Sequence, residues 1–167
     1  MRALISAFLF ASLLLSSSVW SAPLPAPEGE VILSLTGNIA ETNAEARADF
    51  DLAMLEAYPQ HELEMETPWT EGVQHFQGVA LAELLQSVAA QGKTLRARAL
   101  NDYHAVLDLD ELADLPVLIA LKLNGDYMRV RDKGPLWIVY PRNGFSAADL
   151  SRHESNQVWQ LRSLEIR

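Results

Sequence analysis

The apolar positions of the chain fall into short runs with different periods. Gly29–Gly37 (GEVILSLTG) is an apolar run closed by a glycine, which predicts a strand. Asn43–Ala57 carries Phe50, Ala53, Met54 and Ala57 at helical spacing behind a Thr42–Glu45 capping box, and Tyr58–Pro59 stops it. His61–Thr67 (HELEMET) alternates, with Leu63 and Met65 on one face and Glu62, Glu64 and Glu66 on the other. Three carboxylates on one strand face read as a solvated face, because hard cations usually draw converging oxygens from a loop. Val79–Gly92 is an amphipathic helix with a stripe of Leu81, Leu84, Leu85 and Val88, and Gly92 stands where a helix-ending glycine belongs.

From residue 94 the pattern is mostly β. Thr94–Leu100 alternates with Arg96 and Arg98 outward, and Tyr103–Leu109 predicts a second strand. Asp110 is placed to cap the short turn Glu111–Leu115. Pro116–Leu123 is continuously apolar, as a central strand is, and Asn124–Gly125 predicts a tight hairpin into Asp126–Val130. Leu136–Pro141 is another central run, and Val158–Ile166 closes the chain as a strand. The sum is an α+β fold, mostly β with mixed sheets, of about seven strands and two or three short helices.

Residues 67–78 (TPWTEGVQHFQG) fit neither period and read as a loop, yet they hold Trp69, His75 and Phe76. Loops keep their backbone polar groups wet and normally avoid large aromatics. Such a loop is either holding something or being held.

The first 22 residues have a separate character. Arg2, the apolar run Ala3–Leu15 and the tail SSSVWSA have the layout of a secretory signal peptide, and the run is too short to span a bilayer. The expected organisation is a signal peptide over 1–22, an extended leader over 23–29 and one domain over 30–167, in a periplasmic or secreted protein with no membrane insertion after signal removal. About 145 residues then remain, enough for one core. The whole chain carries −9, and loss of Arg2 makes it one unit more negative. That balance argues against nucleic acid and anionic lipid as partners. The absence of cysteine excludes thiol catalysis, thiolate metal sites and iron–sulfur clusters.

The common catalytic motifs do not occur: there is no G-x-S-x-G, phosphate-binding loop, G-x-G-x-x-G or H-E-x-x-H. His61, His75, His104 and His153 have no metal-ligand spacing. Polar groups gather in three segments that bracket apolar strands: His75, the turn Asn101–Asp102–Tyr103–His104, and Arg129–Arg131–Asp132–Lys133. For the basic segment, a charged hairpin edge and an anion site are both open readings.

The ordered set F-x-G-V-x-L-x-x-L-L (Phe76–Leu85), Asp102–Tyr103, A-L-x-L-N-G (Ala120–Gly125), D-K-G-P-L-W-I-V-Y-P (Asp132–Pro141) and V-W-Q-L resembles the molybdopterin-binding domain of the sulfite oxidase family, over about residues 60–166. The resemblance implies a mixed, β-dominated α+β fold. In the enzymes a cysteine ligates molybdenum from the segment matching His61–Gly72, and this chain has none. Trp137 stands where the enzymes carry an Arg and Val158 where they carry a Lys, both cations of the kind that hold an anionic cofactor. The short exported branch, with T-P-W-T in place of the cysteine loop, is the closer likeness. The implied function is a non-catalytic module binding a small anionic or aromatic ligand, or a membrane sensor protein, with no cofactor. The alternative is a molybdopterin-dependent oxidoreductase with non-cysteine ligation.

On this reading a site would form between residues 67–78, Asn101–His104 and Arg129–Lys133. Trp69 and Phe76 would be walls, His75, Asp102, Tyr103 and His104 orienting groups, and Arg129, Arg131 and Lys133 anion partners. Trp137 and Trp159 are expected in the core.

Overall fold

The strands of the computed structural model, which describes residues 23–142 and 145–167, form two five-stranded sheets. The first orders β2 (Arg47–Phe50), β1 (Leu33–Gly37), β10 (Leu161–Ile166), β5 (Thr94–Ala99) and β6 (His104–Asp108). The second orders β3 (Gln60–Glu66), β4 (Val73–Ala80), β7 (Leu118–Leu123) and β8 (Asp126–Tyr127), with β9 (Trp137–Val139) also paired to β7. The pairing of β1 with β10 is parallel and the rest are antiparallel, so the α+β, mostly β class holds.

Alternation decides which side chains reach the core. In β5, Leu95, Ala97 and Ala99 are buried while Arg98 faces water. In β10 the buried positions are Leu161, Leu164 and Ile166, and a register shift after Leu161 accounts for the odd spacing. The continuous apolar run of β7 has a physical cause: both its faces are covered. Ile119 and Leu121 belong to the main core, with Leu33, Phe50, Leu84 and Ile138, while Leu118 and Ala120 belong to a second cluster with Met65, Phe76, Met128, Trp137 and Val139.

Only the last part of the helix expected over Asn43–Ala57 is present. Asn43 accepts from the Asp49 amide at 2.8 Å and donates to its carbonyl at 2.8 Å, and Ala46 turns at φ 54°. Those local bonds make a turn, and Ala48–Phe50 then pair with β1. Helix α1 spans only Leu52–Glu56, capped by Asp51 through the Met54 amide at 2.8 Å, so the Thr42–Glu45 box is unused. Asp51 also accepts from the amides of Glu28 and Gly29, which fastens the leader.

Three further boundaries differ. Helix α2 spans Leu81–Ser87, and Ala89, at φ 48°, makes the left-handed turn assigned to Gly92. Gly92 has another use: a Cβ there would lie 2.5 Å from the Arg167 carbonyl oxygen. Helix α3 (Leu109–Leu112) is capped by Asp108 rather than Asp110. Helix α4 (Ala147–Asn156), unpredicted from the pattern, is capped by Ser146 and buries only His153. The hairpin at Asn124–Gly125 forms as expected, with φ of 53° and 88°. No helix among the described residues is long and apolar enough to cross a membrane. The expected signal peptide, residues 1–22, lies outside the described residues.

Candidate functional site

Half of the supposed 67–78 loop is strand. Only Thr67–Gly72 is irregular, and Val73 onward pairs with β3 and β7. The extended backbone separates two of the expected site residues, because successive side chains point to opposite faces. Phe76 is wholly buried. His75 is exposed on the other face, with Nδ1 3.2 Å from Glu64.

The short turn is built to present one side chain. Buried Thr67 accepts from the Trp69 amide at 3.2 Å, and its hydroxyl meets that of Thr70 at 2.7 Å. Trp69 thereby lies against Trp159, edge-on at 5.3 Å between ring centroids, and against Trp137 at 6.2 Å. Trp137 meets Phe76 edge-on at 5.2 Å and Trp159 at 6.2 Å. These are favourable aromatic geometries, and they close the second core. The loop is thus held, by an indole cluster.

Trp159 is placed by the segment that follows α4. The Ile138 amide donates to the Val158 carbonyl at 2.9 Å, and the Leu161 amide to the Leu136 carbonyl at 2.9 Å. Gln160 turns at φ 52°, donates its amide to the Lys133 carbonyl at 2.8 Å and its side chain to the Val130 carbonyl at 2.7 Å. This brings the Lys133 ammonium to 5.3 Å from the Trp159 ring and 5.9 Å from Trp137. Trp137 is fully buried, as expected, whereas Trp159 is half-buried.

Beside the indoles is a cleft of about 250 Å³. Trp69, Tyr103 and Trp159 are its aromatic walls, and Asn101, Glu154, Ser155 and Gln157 complete it. The Tyr103 hydroxyl donates to the Ser155 carbonyl at 2.8 Å, joining the β5–β6 turn to the end of α4. Asn101 accepts from the Tyr103 amide at 3.1 Å. Glu154 pairs with Arg142. Gln157 is 2% exposed, and its Oε1 is buried with no hydrogen-bond partner among the described residues.

Of the expected site residues, Trp69 and Tyr103 therefore meet, and Lys133 stands over the indoles outside the cleft lining. The others do not join them. Phe76 is core. Asp102, turned at φ 67°, holds Arg98 at 2.5 Å, and His104 is exposed opposite Arg98 on β6. Arg129 and Arg131 face Asp132 at 2.7 and 3.6 Å, and Arg129 lines a different groove with Tyr127 and Met128. Asn101 lies in the expected turn Asn101–His104 but had been given no role, and Glu154, Ser155, Gln157 and Trp159 were missed as site residues. The Ser146–Asp149 spacing was a signal for α4: Ser146 accepts from the Asp149 amide at 3.2 Å and donates to its carboxylate at 2.7 Å.

Among the described residues, no group of three or more His, Asp or Glu could hold a metal ion. No protein-family model matches the chain, and no curated protein matches it.

Proposed function

We propose that this protein is an exported, non-catalytic binding module with a sulfite-oxidase-like molybdopterin-domain fold, and that it binds a small ligand between Trp69, Tyr103 and Trp159. The observation that carries the reading is the cleft itself: two half-buried indoles and a phenol surround a space that Asn101, Glu154, Ser155 and Gln157 complete. Apolar aromatic walls with a few converging polar groups are the usual make-up of a small-molecule site.

The residues at the matched cofactor positions do not fit a molybdenum pterin dithiolene. Thr67, in the segment matched to the cysteine, is bound to Thr70, while Trp137 and Val158, in place of the two cations, are fully buried among apolar side chains. An anionic cofactor has no cationic grip there.

The test is the protein purified from its own periplasm, subjected to native mass spectrometry and to molybdenum and pterin analysis. A retained small molecule that is lost on Trp159→Ala, without molybdenum, is the expected result. Stoichiometric molybdenum with a pterin would overturn the reading in favour of an oxidoreductase.

A further inference from the structure

We infer that the ligand of this cleft is an uncharged sugar, a single ring seated against the aromatic walls; the inference rests on the cleft being the binding site. Charge selects first. None of the lining side chains is Lys or Arg, and the one carboxylate, Glu154, is paired with Arg142. An anionic guest finds no cation in the lining, and a cationic one finds no free carboxylate, so either charge would lose its hydration without a counter-charge. A cation would also meet the Lys133 ammonium, which stands outside the lining, 5.3 Å from the Trp159 ring. An uncharged ligand is left.

The spare hydrogen-bonding capacity of the lining is mixed. Asn101 Oδ1 is taken by the Tyr103 amide, so its NH2 group is left to donate. The Tyr103 hydroxyl gives its proton to the Ser155 carbonyl, so its oxygen is left to accept. Glu154 keeps acceptor capacity beside its bond to Arg142. A hydroxyl both donates and accepts, so one kind of substituent answers all three groups, whereas a bare aromatic or aliphatic ring answers none. The ring of a sugar also suits the walls. Each of its carbons bears oxygen, which leaves the C–H hydrogens partly positive, and aromatic faces are negative. Tyr103 has the build of a platform: it is 48% exposed, yet it is tied by Asn101 at its amide and by Ser155 at its hydroxyl. A ring already fixed loses little freedom when a ligand covers it. The cleft, at about 250 Å³, is smaller than the roughly 300–1,000 Å³ of sites for drug-sized ligands, so it admits one ring and its substituents.

The experiment is isothermal titration of the purified protein with the methyl glycosides of glucose, galactose, mannose and N-acetylglucosamine. Methyl glucuronide and methyl glucosaminide supply the two charges on the same ring, and phenol and cyclohexanol supply rings of similar size with a single hydroxyl. At least one neutral glycoside should bind, at least about tenfold more tightly than phenol or cyclohexanol, and neither charged ring should bind more tightly than it. Trp159→Leu should abolish that binding, while Trp159→Phe, which keeps an aromatic wall, should retain it. Far-UV circular dichroism melts verify folding; if Trp159→Leu fails to fold, Tyr103→Leu removes the exposed wall instead. If phenol, cyclohexanol or a charged ring binds more tightly than every neutral glycoside, and a wall variant abolishes it, the site stands and the sugar inference falls. If no probe titrates, or if titration survives both Trp159→Leu and Tyr103→Leu, the site itself is wrong.

Discussion

Replacing Trp137 by Ala tests the indole cluster most directly. The side chain is wholly buried and touches three aromatic partners, with centroids at 5.2 Å to Phe76 and 6.2 Å to both Trp69 and Trp159. Truncating a buried Trp to Ala typically costs about 3–5 kcal/mol, through lost transfer energy and the cavity left behind. Each lost aromatic pair would add about 0.5–1.5 kcal/mol. One effect opposes these: the Trp137 indole N–H is buried with no partner among the described residues, a state that costs about 1–3 kcal/mol, and truncation relieves it. The net expectation remains about 3–5 kcal/mol, a large share of the roughly 5–15 kcal/mol of a typical domain. Trp137→Phe separates the contributions. It keeps a ring against Phe76 and removes the orphaned donor while leaving a smaller cavity, so it should cost clearly less than Trp137→Ala. Urea unfolding followed by far-UV circular dichroism is the suitable assay, since tryptophan emission changes with the substitution itself. A Trp137→Ala variant within about 1 kcal/mol of wild type would show that the cluster is not a core. A Trp137→Phe variant as damaged as Trp137→Ala would show that the N–H is bonded.

Gly78→Ala should destabilise by about 1–3 kcal/mol or more, read from the urea midpoint, because its Cβ would sit 2.0 Å from the Ile119 carbonyl oxygen where the β4–β7 register shifts. Asp51 is held below its ordinary 3.8 by the amides of Met54 first and then Gly29, against the opposing effect of burial. Its stabilisation is therefore complete above 3.8 and lost as pH falls through the lower folded value, so the melting-temperature deficit of Asp51→Ala should narrow on acidification below 3.8. Tyr103→Phe removes the 2.8 Å bond to the Ser155 carbonyl and should cost about 0.5–1.5 kcal/mol in a urea titration, with faster amide exchange in the last turn of α4.

The parts of the fold legible in the sequence are those where period and burial agree. Leu63 and Met65 alternate with glutamates because β3 is an edge strand with one wet face, and Leu118–Leu121 are all apolar because two cores cover β7. Asn43–Ala57 misled because side-chain bonds from Asn43 and strand pairing to β1 outweigh a capping box worth about 1 kcal/mol. The site was half legible. Trp69 stood out as an aromatic without a period, and Tyr103 by its place in a turn. Phe76 and His75 looked like companions only while their segment was read as a loop; once β4 is extended they face opposite ways. Gln157 gave no signal, since a buried, unpartnered amide is a property of packing alone.

The cleft's position explains what occupancy would do. Each wall comes from a different element: Trp69 from the β3–β4 turn in the second sheet, Tyr103 from the β5–β6 turn in the first, Gln157 from the end of α4, and Trp159 from the segment between α4 and β10. That last segment also bonds both ways, with the Leu100 amide donating to the Gln160 carbonyl at 2.9 Å on one side and the Ile138 amide to the Val158 carbonyl at 2.9 Å on the other. The two sheets are therefore joined where the ligand would sit, and a molecule that touches all four walls binds only when the sheets are docked. By linkage it stabilises the docked state by about 2.7 kcal/mol at a free concentration one hundredfold above Kd. A surface patch on one sheet would offer a partner no such hold over the other, which is why the junction, rather than the acidic face of β3, is where a binding event could be felt by the whole domain.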